Sequence, residues 1–335
     1  MQYIIQHQFR DISAFGHKYY VTNFFQKLYS SLIKKYPNHS FEIVNNQEYE
    51  KYGYGGIYSC MNFSIINPEN KNYIVLSFFD NWKYHFMQHI GWNPQKMKQF
   101  FYAGGFDYWD YFSYKATESY NKDLSFPNDI RSVYKPLFYS PYYDCCYDEI
   151  ENLYNNRKNK SLISKLFFRG YMWDFRKEMT NNLLNNEDIL IINKNESGEN
   201  LEYIDYLKEM SDYSACLSLP GGTEVCNRDI ECFGLGIPVV RPFLQVNYND
   251  PLISNYHYIN CYHSCDYSDS GHPRYLSVKD FQNNLIYTWN KIKNNYEYLS
   301  FISDNARSWF LKNCTANENI KYVLNNLNLE ILNND

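Results

Sequence analysis

Between Ser164 and Val240 the chain alternates short apolar runs with amphipathic stretches, and this alternation restricts its fold more than any other feature. Ser164–Phe168 (SKLFF), Asp188–Asn193 (DILIIN), Ala215–Leu219 (ACLSL) and Ile237–Val240 (IPVV) read as strands. Met172–Leu184, Tyr203–Met210 and Asn227–Leu235 read as the helices between them. A short apolar run without polar alternation fits a strand covered on both faces. Strands separated by helices return in the same direction, so the pattern predicts βαβ units and a parallel sheet. Tyr256–Asn260 adds a further strand. Phe281, Leu285, Trp289 and Ile292 then mark a long helix, Ala306–Cys314 another and Glu318–Leu332 a last one.

The first half repeats the theme less regularly. Val21, Phe25, Leu28 and Leu32 recur at helical spacing within residues 19–36. Tyr58–Ile66 and Tyr73–Phe79 read as strands, the second apolar enough to be buried on both faces. Trp82, Phe86 and Ile90 follow at i, i+4, i+8, a helix, and Phe100–Phe112 and Val133–Tyr139 are further strands. A polar Asn/Lys-rich stretch between Glu149 and Ser164 reads as a linker. The 335 residues suit two domains of roughly 150 residues. The expected division is 1–155, 156–315, and a C-terminal helix, 316–335, packing back toward the first domain.

Composition excludes several function classes. A net charge of -5 and a pI of about 5.9 argue against electrostatic nucleic-acid binding. The 36 Tyr and 23 Phe accompany much Asn, Lys and Ile, the signature of an A/T-rich genome such as that of a large DNA virus or a microbe. No apolar run reaches the ~18 residues of a membrane span, and the N-terminus lacks a signal-peptide pattern. The 9 cysteines are irregularly spaced, which fits a reducing compartment better than a disulfide framework. The expected location is the cytoplasm, the host's if the protein is viral. His257, Cys261, His263, Cys265 and His272 match no common zinc spacing, and His85 and His89 lack the Glu of a zinc-protease pair. No metal and no cofactor are expected.

Chemistry concentrates in Tyr213–Pro242 (YSACLSLPGGTEVCNRDIECFGLGIPVVRP). The strand Ala215–Leu219 carries Ser218 near its end, the turn Pro220-Gly221 follows, and a helix then carries Arg228, Asp229 and Glu231 in its first turns. A glycine-rich turn before a helix N-terminus presents free N–H groups and a positive dipole end to a phosphate. Arg228 and Glu231, three residues apart, share one side of the helix. The arginine suits a diphosphate and the carboxylate suits both hydroxyls of a ribose. An ion pair between them beside a plain loop explains the same residues.

This stretch resembles the donor-binding segment of exostosin-like glycosyltransferases. The likeness lies in Ala215-Cys216-Leu217-Ser218-Leu219-Pro220-Gly221, in Arg228 to Glu231, and in Gly236 to Val240. Phe167-Phe168-Arg169-Gly170, followed by Arg176, resembles the strand end that brings an arginine to the donor phosphates in such enzymes. The resemblance implies a GT-B fold, two Rossmann-like domains with parallel sheets facing a central cleft. It also implies a nucleotide-sugar donor, of which a UDP-sugar such as UDP-xylose is one, and an oligosaccharide or glycan acceptor. Arg169, Arg228 and Glu231 become donor contacts, with Glu231 on the ribose. Eukaryotic members of that family usually carry a membrane anchor, and none is expected from the apolar runs of this sequence. Glu224 and Glu231 are also one residue closer than the E-x7-E spacing of many retaining enzymes.

Inverting transfer needs a base for the acceptor hydroxyl. Asp80, ending the most apolar strand of the first half, is the candidate, since ligands sit at the carboxyl ends of strands in open α/β sheets. An aspartate there equally suits an N-cap of the following helix. His85 is the reserve base, Trp82 lies beside it, and Gly55 and Gly56 form a loop able to meet donor or acceptor, or a simple hairpin turn. A retaining transferase and a non-catalytic nucleotide- or glycan-binding protein on the same fold are the alternatives.

Overall fold

The computed structural model describes residues 1–7, 20–44, 62–77, 96–102, 134–137, 147–172, 174–194, 201–219, 225–242, 244, 250–262, 266–267, 273–274 and 278–334. The chain forms two compact units, both α/β. The first comprises Met1–Cys145 and Asn247–Asn249 with Cys314–Asp335, and the second Cys146–Val246 with Asp250–Asn313.

In the first unit, strand β1 (Gln2–His7), helix α1 (Tyr20–Lys35) and strands β2 (Ser40–Val44), β3 (Asn62–Ile66), β4 (Tyr73–Ser77), β5 (Met97–Tyr102) and β6 (Tyr134–Pro136) build a six-stranded sheet. Its order is β2-β1-β3-β4-β5-β6. The sheet is parallel-rich but mixed, because β3 runs antiparallel to both β1 and β4. Only residues 67–72 join β3 to β4, too few for the crossover a parallel pair requires. The expected parallel sheet holds for β1–β2, β4–β5 and β5–β6, and the antiparallel β3 is the one departure among the described strands of this unit. Strand β1 also lay outside the sequence reading.

Phe24, Leu28 and Leu32 recur every four residues on α1 and bury against Tyr3, Ile5, Ile65, Ile74, Leu76 and Phe101. The C-terminal helix Ala316–Asn326 adds Ala316, Ile320 and Val323 to the same core, and Leu329 and Leu332 follow. Asparagines of the β3–β4 turn fasten this tail. Asn70 Nδ2 donates to the Leu332 carbonyl at 2.7 Å, and Asn72 Nδ2 to that of Asn334 at 2.7 Å.

The second unit opens with helix α2 (Tyr147–Arg157). It continues through β7 (Ile163–Gly170), α3 (Asp174–Thr180), β8 (Ile189–Asn193), α4 (Tyr203–Ser211), β9 (Tyr213–Leu217), α5 (Asn227–Leu235), β10 (Val239–Pro242), β11 (Ile259–Tyr262), α6 (Val278–Ile292) and α7 (Tyr296–Asn313). The five strands are ordered β11-β10-β9-β7-β8, and all four pairings are parallel. Strand order reverses at β7, which lies between β8 and β9, so the topological switch point falls between β7 and β9. Leu166 and Phe168 face the core built by α3 and α6, with Met179, Phe281, Leu285 and Trp289.

The stretch read as a linker is largely helical. Arg157, at the end of α2, is buried and donates to the carbonyls of Ser211 and Tyr213 at 2.7 and 2.6 Å. Its polar composition is that of a helix with few buried positions, Ile150 and Arg157 among them. Helix α2 packs on α4 and α5, and the second unit accordingly begins at Cys146, ahead of the expected boundary after 155. Among the described residues no helix is long and apolar enough to cross a membrane.

Candidate functional site

Among the described candidates of the second unit, Arg169, Gly170 and Arg228 meet at the end of β7. At the tip of β7, Arg169 turns its side chain toward α4 and Gly170 follows. A Cβ on Gly170 would lie 2.8 Å from Arg228 Nη2, so the absence of a side chain is what admits the arginine. Arg228 reaches there from the first turn of α5. Its Nη2 donates to the Arg169 carbonyl, and its guanidinium carbon sits 4.2 Å from the centroid of the Phe168 ring. A cation over an aromatic face contributes about 0.5–2 kcal/mol. Arg228 Nε is buried and finds no hydrogen-bond partner among the described residues. Burial acts against its charge, but the neighbouring Glu231 carboxylate favours it, and its pKa is raised. The group is a permanent buried cation.

Helix α5 is held at both ends. Asp229 Oδ2 accepts the Cys226 N–H at 2.8 Å and pairs with Arg241 of β10 at 2.7 Å, both side chains almost wholly buried. At the other end Gly236 takes φ 62°, and Ile237 N–H returns to the Cys232 carbonyl at 2.8 Å. This is a left-handed helix stop that favours glycine. Asp229 therefore caps the helix and anchors Arg241; its other oxygen, Oδ1, has no hydrogen-bond partner among the described residues.

Glu231 lies one turn beyond Arg228. Tyr203 Oη donates to its Oε1 at 3.1 Å and Tyr206 Oη to its Oε2 at 3.3 Å. Burial raises its pKa, opposed by Arg228 and by the two phenol hydroxyls. Arg176 of α3 donates through Nη2 to the Leu219 carbonyl at 3.0 Å and through Nη1 to that of Tyr171 at 3.2 Å. Burial lowers its pKa, with Cys226 acting in the opposite direction. The Ser218 N–H pairs with the Val240 carbonyl at 3.0 Å, while its Oγ is buried without a hydrogen-bond partner among the described residues. Burial pushes the Cys226 thiol up, which keeps it protonated and removes it as a nucleophile.

Arg169 is engaged elsewhere in this structure. Its guanidinium grips Glu209 of α4 in a two-pronged ion pair, Nε–Oε2 at 2.6 Å and Nη2–Oε1 at 2.8 Å. Sequence reasoning missed Glu209, Tyr203 and Tyr206. Their signal was available, since residues 203, 206 and 209 recur every three positions and lie along one side of α4. It also missed Arg241, whose charge in an otherwise apolar strand implied a buried partner.

Asp80, Trp82, His85, Gly55, Gly56, Pro220 and Gly221 lie outside the described residues, as do Glu224, His89, His263, Cys265 and His272. Among the described residues no group of three or more His, Cys, Asp or Glu side chains is placed to hold a metal ion. What the arrangement offers is a fixed cation at the strand ends, buried polar atoms beside it and a carboxylate one helical turn away. That set suits an anionic ligand that also carries hydroxyls.

The sequence matches no family model and no curated protein. Solved structures do show a similar chain trace. A glycosyltransferase from Rickettsia africae ESF-5 is 12% identical, with a TM-score of 0.41 over 94% of this chain and 82% of that one. The GtfA/B complex is 12% identical, with a TM-score of 0.37 over 77% of this chain and 50% of that one. TarM is 11% identical, with a TM-score of 0.38 over 82% of this chain and 64% of that one.

Proposed function

We propose that the second unit binds the diphosphate and ribose of a nucleotide-sugar, and that the protein is a cytoplasmic glycosyltransferase of GT-B architecture acting on a glycan hydroxyl. The observation that carries this reading is Arg228. It is a buried guanidinium fixed over Phe168 at the end of β7, beside the switch point of a parallel sheet, with Glu231 one turn further along the same helix. Ligands of open α/β sheets bind at that point. The likeness to exostosin-like enzymes assigns the same two residues to the donor.

In the proposed reaction the acceptor oxygen attacks the anomeric carbon, and the bond from that carbon to the diphosphate oxygen breaks with its electron pair leaving on the diphosphate. Asp80 takes the acceptor proton, and the configuration inverts. Arg228, Arg176 and the N-terminus of α5 stabilise the departing charge. These fixed positive groups do the work of a divalent ion, so transfer is expected to persist in a chelator.

Arg228→Ala is expected to weaken nucleotide binding by about 2–3 kcal/mol or more, as charge-assisted contacts do. Asp80→Asn should keep donor affinity and lose transfer. Calorimetry with UDP- and GDP-sugars, together with a transfer assay, separates the two. Parental rates in both variants would remove these roles. NMR of the product reads the stereochemistry, and retention would dismiss Asp80 as base. Nucleotide binding without turnover on any glycan would instead mark a binding protein.

A further inference from the structure

Helix α4 presents two phenol hydroxyls to a single carboxylate. Tyr203 Oη meets Glu231 Oε1 and Tyr206 Oη meets Oε2, one donor for each oxygen, at 3.1 and 3.3 Å. The two rings come from positions three apart on the same helix, with centroids 6.4 Å from each other. An ionised carboxylate offers about four acceptor sites. The tyrosines occupy two, one on each oxygen, and leave one on each.

We propose that Tyr203 and Tyr206 are positioning residues that aim Glu231 at the 2′ and 3′ hydroxyls of a nucleoside diphosphate. This rests on the donor-binding reading above and adds what sets its preference for ribose. A glutamate has three rotatable side-chain bonds, and anchoring both oxygens removes most of that freedom before the ligand arrives. The anchors also favour the charged carboxylate, against burial, which on balance still raises its pKa. Burial favours its protonated form, which would present one fewer acceptor, and the two hydroxyls together with Arg228 oppose that shift. Tyr206 remains a donor because burial and the neighbouring Glu231 both push its own pKa up. Among the described residues, Asp229 on its own helix also acts on Glu231 and disfavours its charge, Arg228 favours it, and Cys232 lies within electrostatic reach.

The test uses the full chain and three probes, UDP, 2′-deoxy-UDP and inorganic pyrophosphate, measured by calorimetry. The variants are Tyr203→Phe, Tyr206→Phe and the pair together, which keep the rings and remove only the hydroxyls. The parental protein is expected to prefer UDP over its deoxy form. The double variant should bind UDP about tenfold more weakly, lose most of that preference, and bind pyrophosphate as before. A double variant that keeps the ribose preference overturns the proposal, and so does a parallel loss of UDP and pyrophosphate binding. If the parental protein binds UDP without discriminating against the deoxy form, the assignment of Glu231 to ribose is wrong while the donor reading stands. If it binds neither UDP nor pyrophosphate, the donor reading itself falls and takes the proposal with it.

Discussion

At the scale of single residues, the site depends on a missing side chain as much as on charged ones. Arg228 lies against the backbone of Gly170, where even a methyl group would come within 2.8 Å of its Nη2 and 3.2 Å of the Phe168 ring. The arginine is the flexible partner in that clash, so Gly170→Ala should move Arg228 off the strand end rather than unfold the sheet. We expect nucleotide affinity to fall by about tenfold or more, with a melting temperature close to the parental one. Calorimetry beside a thermal melt reads both. Unchanged affinity would show that the position of Arg228 over β7 is immaterial to binding. Arg169 poses the opposite case. Its type and place in the motif were legible in the sequence, but its bidentate pairing with Glu209, forty residues later, was not. Only the fold brings β7 and α4 together.

At the scale of elements, α5 carries most of the site and is tied down by a buried ion pair. Asp229 and Arg241 are almost fully enclosed, and the aspartate also accepts the N–H of Cys226, the residue that caps the helix. Removing one member of a buried pair strands the other, at a cost of about 3–5 kcal/mol. Asp229→Ala should therefore lower the unfolding free energy read from a urea titration by that margin. Adding Arg241→Met should restore part of the loss, because the second change removes the stranded charge. If the double variant is no better than the single one, the cost lies in the lost helix cap instead of the pair. The helices and strands from 163 to 242 were largely readable, since each apolar run and each helical period is local. Helix α2 was not. Its Asn- and Lys-rich composition mimics a linker, and its hold on the second unit runs through Arg157 to carbonyls more than fifty residues away.

At the scale of the whole molecule, the chain's last residues complete the core of the unit in which it began. Ile320, Val323, Leu327, Leu329 and Leu332 bury with Tyr3, Ile5 and Leu28, and the tail is held by asparagines of the β3–β4 turn. Deleting residues 315–335 should expose that core. Limited proteolysis is expected to cut within residues 1–145 while leaving 146–313 protected. Equal protection of both regions would show that the tail is dispensable. The antiparallel β3 belongs to this scale too, because its direction follows from which strands it joins and not from its own apolar pattern.

The sequence by itself determined the α/β class, the parallel sheet of the second unit and the helix that carries Arg228, Asp229 and Glu231. Each of these follows from periodicity and turn chemistry within a few tens of residues. Tertiary structure decided which partners those side chains meet: Phe168 and Gly170 for Arg228, Arg241 for Asp229, and two tyrosines for Glu231. Such pairings depend on strand order and helix packing, which join residues far apart in the chain and leave no mark in local spacing.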